Sequence, residues 1–218
     1  GTANNTTGGP LGLTDAELDK VTAGTITIGS ATSGTITVSA DITRAAATNI
    51  NLISGGAIDL NSGLINTVNG NLSLTPGNAA TAKATKAGID LNLSNAGILS
   101  FGSGSDLAFA INGTAVDTQY QQLNVAGGID LTGVDLVLNG SYTPAIGNAF
   151  VLIKNDGTDA VIGTFNGLPE NSLLIIPTGT QAGSYQITYQ GGDGNDVVLT
   201  SNNADPVMSG TAGNDNWL

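Results

Sequence analysis

The chain has 218 residues, no cysteine, no histidine and a formal net charge of −12, with five lysines and arginines in total. Phosphate recognition needs clustered Lys and Arg, so this charge excludes nucleic acid as an expected partner. Without Cys and His the chain cannot form a disulfide, a Ser-His-Asp triad or a His-ligated metal centre.

The N-terminal segment, residues 1–23, is predicted to be a flexible lead-in followed by a short capping helix. The sequence LTDAELDKV at 13–21 contains a capping box, in which Thr14 is followed three residues later by Glu17. We expect a helix of about two turns, which is too short to be stable alone and must pack on the rest of the fold.

From Thr25 onward the apolar residues alternate with polar ones in short runs that end in Gly, Asn, Ser or Asp, which is typical of strands and turns. Ile26, Ile50 and Leu72 recur at spacings of 22 to 24 residues. Units of this length with two or three strands each predict an all-β fold, a right-handed parallel β-helix (β-solenoid) whose first coils span 24–114. An antiparallel β-sandwich is the alternative. No apolar run approaches the ~20 residues that span a membrane, so we expect no membrane insertion.

The second half contains the ordered motifs YQQLNVAGGIDL, GNAFVLI, GTFNGLPE and YQITYQGGDGNDVVLT. Through these motifs residues 115–200 resemble the C-terminal part of autotransporter-like and filamentous-haemagglutinin-like passenger regions. The resemblance implies further β-helix coils that end in a cap, on a secreted or surface-displayed bacterial protein. The alternation in 185–200 predicts that this cap is a β-hairpin.

Residues 201–218 depart from an autotransporter, because they read as a linker followed by GTAGNDNWL. This end resembles the start of a calcium-binding nonapeptide (RTX-type) repeat, G-G-x-G-x-D-x-U-x, with Asp215 at the ligand position. We therefore expect the chain to be a piece of a larger extracellular or cell-surface exoprotein.

The same nonapeptide pattern is filled at 191–199, GGDGNDVVL, which leaves two interpretations. In the favoured one it is a hairpin loop with a bulge, and Asp193 and Asp196 accept hydrogen bonds from local amides. In the other, Asp193, Asp196 and Asp215 are calcium ligands. Calcium needs six to eight oxygens, and the second copy of the pattern is out of register with the first. Calcium is thus the only cofactor predicted, and it belongs to the second of these interpretations.

The expected function is that of a structural module, such as an adhesin stalk, a matrix element or a surface filament, with no catalytic residue. The alternative is a polysaccharide-binding or polysaccharide-cleaving β-helix protein. Cleavage would need paired carboxylates at a fixed separation or a Lys or Arg base. Asp59 with Asp90, and Asp130 with Asp135, could each share a face of the solenoid, although outward Asp residues chiefly serve solubility.

Two kinds of partner are expected. Uncovered strand edges at the ends of a solenoid recruit other chains, so homotypic assembly is predicted. A polysaccharide or another cell-surface ligand is the second kind.

Overall fold

A computed structural model describes residues 11–60, 63–77, 79–81, 91–93, 96–156, 158–176 and 183–202. These residues contain one short helix, α1 (Asp15–Leu18), and nineteen strands. The strands are β1 (Thr25–Ser30), β2 (Ile36–Thr37), β3 (Ile42–Thr43), β4 (Asn49–Ser54), β5 (Ile58–Asp59), β6 (Ile65–Asn66), β7 (Leu72–Thr75), β8 (Ala79–Thr81), β9 (Leu91–Asn92), β10 (Ile98–Phe101), β11 (Asp106–Ala110), β12 (Leu123–Ala126), β13 (Gly128–Asp130), β14 (Asp135–Asn139), β15 (Ala149–Asn155), β16 (Val161–Ile162), β17 (Leu173–Ile176), β18 (Gly183–Gly191) and β19 (Asp196–Ser201).

The strands form three sheets in which each strand from β1 to β13 pairs in parallel with the strand three places later. Sheet A has the order β1-β4-β7-β10-β13-β16, sheet B the order β2-β5-β8-β11-β14, and sheet C begins β3-β6-β9-β12-β15. The chain therefore visits the three sheets in turn, and three consecutive strands make one coil. The prediction of an all-β chain with parallel stacking is confirmed, and the antiparallel sandwich is wrong for β1 to β16, because the pairings among these strands are parallel.

The core consists of apolar residues that stack from coil to coil. Ile26 lies in register with Ile50, and Ile50 with Leu72, as their spacing predicts. The same column continues through Leu99 and Ile129, both with no exposed surface. Each fully buried Ile or Leu contributes about 1.5–3 kcal/mol to stability. Because these side chains are covered by the neighbouring coils, this energy depends on the stacking.

Polar side chains also connect successive coils. Asn49 Oδ1 accepts a hydrogen bond from the backbone N–H of Asn71 at 2.9 Å, 22 residues on. Asn71 Oδ1 in turn accepts from the N–H of Ile98 at 3.0 Å, 27 residues on. These amides begin strands and would otherwise lack a partner. These two hydrogen bonds therefore hold successive coils in register at this corner, although one spans 22 residues and the other 27.

Helix α1 has the predicted capping box: Thr14 Oγ1 accepts from the N–H of Glu17, and the Glu17 carboxylate accepts from the N–H of Thr14. These hydrogen bonds lower the pKa of Glu17. The helix itself spans only four residues and ends at Leu18, so the prediction of about two turns was too long. Leu18 is buried, which is the packing that a helix this short requires.

The helix covers the outer edge of sheet C. The N–H of Thr43 in β3 points away from β6 and donates to Asp15 Oδ1 at 2.8 Å. Nearby, the buried guanidinium of Arg44 donates through Nη2 to the Val21 carbonyl at 2.8 Å and lies 3.5 Å from the carboxylate of Asp19. The residues after the helix are thus fixed to the first coil.

At the other end sheet C continues from β15 through β19, β18 and β17, and these additional strands are antiparallel. The predicted hairpin is therefore present as β18 and β19, with a bulge between Thr188 and Gly191. Tyr185, Ile187 and Tyr189 all face the core. The hairpin lies alongside the last strand of the parallel part of sheet C.

Candidate functional site at the C-terminal hairpin

The turn that joins β18 to β19 requires two glycines of the nonapeptide pattern. Gly192 has φ of +58° and Gly194 has φ of +116°, a region of backbone space that residues with a side chain rarely adopt. The N–H of Gly194 closes the turn by donating to the carbonyl of Gly191 at 2.8 Å. Two of the glycines in this pattern therefore have a conformational reason for their positions.

Asp196 begins β19 and is nearly buried. Its Oδ1 accepts a hydrogen bond from the backbone N–H of Asn155 in β15 at 2.9 Å. Burial raises the pKa of Asp196, the Asn155 hydrogen bond opposes that shift, and the charge of Asp193 adds to it. The prediction that Asp196 bonds a local amide was wrong in this respect, because its partner lies 41 residues away on another strand.

Asn155 is a buried polar residue at a core-facing position. It is 1% exposed and stands at the end of a column of stacked apolar residues in sheet C, formed by Ile42, Ile65, Leu91 and Val125. Its Nδ2 donates to the carbonyl of Asp159 at 2.6 Å, and Asn195 Nδ2 donates to the same carbonyl at 3.0 Å. Asn155 Oδ1 is buried with no hydrogen-bond partner among the described residues.

The predicted calcium ligands are brought together only in part. Asp193 lies close enough to Asp196 for its charge to raise the pKa of that carboxyl group. One oxygen of Asp196 is already used by the amide of Asn155. Among the described residues no three acidic side chains form a group that could hold a metal ion, and Asp215 lies outside those residues. Calcium binding stays a prediction.

In one of the two carboxylate pairs predicted from the sequence, the two residues do not share a face of the coil. Asp130 lies on β13 of sheet A and Asp135 on β14 of sheet B, so the expectation that they share a face was wrong. A corner of the coil separates them, since Asp130 Oδ1 accepts from the N–H of Thr132 in a turn. Asp135 is instead in register with Asp106 on β11. Asp59 is on β5, and Asp90 lies outside the described residues.

The aromatic side chains of the C-terminal half pack against one another. The rings of Tyr120 and Tyr142 meet Phe150 edge to face, with centroids 5.4 and 6.3 Å apart. Tyr189 Oη donates to the carbonyl of Leu168 at 2.7 Å and accepts from a backbone N–H at 3.0 Å, while burial raises its pKa to about 12. These rings therefore stabilise the interior at this end of the molecule.

Comparison with known proteins gives no relative: no family model, no curated protein and no solved structure matches the chain. In the described part of the chain no helix has the length and hydrophobicity needed to cross a membrane. Function is therefore inferred from the strand order, the buried contacts and the surface of this chain.

Proposed function

We propose that the chain is a structural module of a bacterial secreted or cell-surface exoprotein, in which it acts as a stiff spacer of an adhesin stalk, a matrix or a surface filament. We also propose that its coils wind as a right-handed β-helix, the hand that parallel crossover connections adopt almost without exception. The observation that carries the proposal is the unbroken parallel pairing of sheet A from β1 to β16.

This pairing supports a mechanical role because every coil is bonded to the next through all three sheets. Neighbouring strands lie about 4.8 Å apart, so the six strands of sheet A extend over roughly 24 Å. Pulling the coils apart requires backbone hydrogen bonds and stacked apolar side chains to separate together. A flexible linker of similar composition has neither.

The outer surface of sheet A is consistent with an extracellular location. Thr27, Asn51 and Ser73 lie in register along one row, and Asn51 Nδ2 donates to Thr27 Oγ1 at 3.3 Å. Such a row is polar and carries no charge. The resemblance of residues 115–200 to passenger regions supports the same location.

Single-molecule pulling tests the mechanical role, with one handle before β1 and the other after β19. The chain is expected to resist extension and then unfold in a few large steps. Leu72→Ala, which opens a cavity in a fully buried position, should lower the unfolding force because such a change costs about 2–5 kcal/mol. Extension at the low force of a random coil, in the unmodified chain, would contradict the proposal.

The location is tested separately on intact cells that encode the chain. Antibodies raised against it should label the cell surface or the medium without permeabilisation. Labelling that appears only after the cells are opened would contradict a secreted or surface location.

A polysaccharide-binding or polysaccharide-cleaving protein is the second candidate, and one observation favours it. Asp106 and Asp135 are in register on adjacent strands of sheet B. A pair of carboxylates is what most glycoside hydrolases use for catalysis. Incubation with acidic polysaccharides should release no new reducing or unsaturated ends if the chain is a spacer. Release that is abolished by Asp106→Asn would establish the second candidate instead.

A further inference from the structure

Strand β17 lies at the outer edge of sheet C and has exposed apolar side chains. Strand β17 pairs with β18 and, among the described residues, with no other strand. Its residues alternate: Leu174 and Ile176 pack against the core, whereas Leu173 is 55% and Ile175 68% exposed. Edge strands of soluble proteins usually carry a charge, particularly Lys, to prevent pairing with other chains. On the exposed face of β17, two aliphatic side chains stand where such a charge would be expected.

The backbone of the same two residues points away from β18. In an antiparallel pair, residues alternate between those bonded to the neighbouring strand and those directed outward. The N–H of Ile187 donates to the Ser172 carbonyl at 3.1 Å, which places Ser172, Leu174 and Ile176 in the set bonded to β18. The N–H and C=O groups of Leu173 and Ile175 are therefore directed to the open edge.

We propose that β17 is a dimerisation strand, which pairs in antiparallel orientation with β17 of a second copy of this chain. A two-fold axis midway between the Leu174 residues of the two copies places Leu173 opposite Ile175 of the second copy, and the reverse. Both of these pairs consist of residues with outward backbone groups, so each pair forms two hydrogen bonds. The exposed Leu and Ile side chains then meet across the two strands, as cross-strand pairs do within a sheet.

The register is the reason that a second copy fits this strand, since the two outward-directed residues lie on either side of Leu174 and each meets the other in the paired strands. Chains of net charge −12 repel each other, so contact between two copies is least unfavourable where no charged residue lies. Strand β17 has no charged residue. The preceding carboxylate, Glu170, is held toward β18, where it accepts hydrogen bonds from Thr188 Oγ1 at 2.6 Å and from the N–H of Tyr189 at 2.7 Å.

The other end of sheet C does not offer a comparable edge. There the N–H of Thr43 is already bonded to Asp15 of helix α1. The proposed pairing joins two chains at β17, and it depends on the strand order of sheet C, not on the mechanical role proposed above.

Sedimentation equilibrium over a concentration series tests the pairing on the whole chain. The unmodified chain should show a reversible monomer–dimer equilibrium. Ile175→Asp should raise the dissociation constant about tenfold or more, because it places a carboxylate in each cross-strand pair. Ile146→Asp is the matched control, since Ile146 is also 68% exposed but lies outside β17, and it should leave the constant unchanged. A chain that stays monomeric at every concentration, or an unchanged dimer in Ile175→Asp, would overturn the proposal.

Disulfide trapping tests the register, and the lack of native cysteine makes it specific. Directly opposed residues of a hydrogen-bonded antiparallel pair have Cα atoms about 5.5 Å apart, within the range of a disulfide. A mixture of Leu173→Cys and Ile175→Cys chains should therefore give mainly the mixed dimer on mild oxidation. The statistical mixture of the three possible dimers that random collision produces, or no more product than Ile146→Cys chains give, would contradict this register. Circular dichroism of each variant checks that it is folded.

Discussion

The backbone N–H of Asn155 donates to Oδ1 of Asp196 at 2.9 Å, and this bond connects two parts of the molecule that differ in strand direction. Asn155 ends β15, the last strand of sheet C that pairs in parallel. Asp196 begins β19, the first strand that runs against it. One carboxylate thus satisfies an amide at the point where parallel stacking stops and the hairpin begins.

Removal of that carboxylate should destabilise the fold. Asp196→Ala leaves the N–H of Asn155 buried without an acceptor, which costs about 1–3 kcal/mol. Urea unfolding should show this loss equally with calcium and with a chelator. Asp196→Asn is the matched control, because it keeps an acceptor oxygen and should lose much less. A loss that appears only in the presence of calcium would instead identify Asp196 as a metal ligand.

The raised pKa of Asp196 has a consequence for the pH dependence of stability. Since its pKa in the folded state lies above the ordinary value of 3.8, protonation favours the folded state. This contribution is fully present below pH 3.8 and is lost as the pH rises through the folded-state pKa. The unfolding free energy of the native chain, measured relative to Asp196→Asn, should therefore fall between acidic and neutral pH. A difference that is constant or rises over this interval would disagree with burial as the dominant cause.

The buried column that ends in Asn155 can be tested by a pair of opposite substitutions. Asn155→Val continues the apolar column and leaves the Asp159 carbonyl bonded to Asn195, so we expect a change within about 1 kcal/mol. Val125→Asn places an amide one coil earlier, among apolar neighbours, and should cost about 2 kcal/mol or more. Chemical denaturation of both variants provides the measurement. Comparable losses in the two variants would mean that Asn155 is as important to the fold as its apolar neighbours.

The attachment of helix α1 to β3 should be visible in hydrogen exchange. Asp15→Ala removes the acceptor of the Thr43 N–H, so that amide should exchange about fivefold faster, in line with the ~1 kcal/mol that one hydrogen bond contributes. Amides of β10 and β13 should keep their protection. Asp15→Asn retains an acceptor and should behave as the native chain. Faster exchange throughout the molecule in Asp15→Ala would show that the helix is required by the whole fold.

The sequence predicted much of the fold because the coils repeat in an almost regular manner. The spacing of Ile26, Ile50 and Leu72 corresponds directly to their register, and the capping box at Thr14 is local chemistry. The hairpin was predictable from alternation and from glycines at positions of positive φ.

The contacts that the sequence did not reveal are those between distant segments. Asn155 comes after Lys154, which follows the apolar run FVLI, and it resembles a residue at a strand end, so nothing local indicates that it is buried. Its bond to Asp196 spans 41 residues. Asp130 and Asp135 look like neighbours in the sequence, but the turn at Thr132 directs the chain into a different sheet. Such placements depend on where each coil bends, which the variable corners leave open.

Because each parallel strand pairs with the strand three places later, the coils form a linear stack in which each coil is stabilised by its nearest neighbours. Each coil touches only the coils before and after it, so stability is close to a sum of coil terms and nearest-neighbour terms. Opening a coil at an end breaks one such junction, whereas opening a coil in the middle breaks two. Unfolding should therefore begin at an end of the stack and advance coil by coil, so β7 and β10, in the middle of sheet A, should be protected longest.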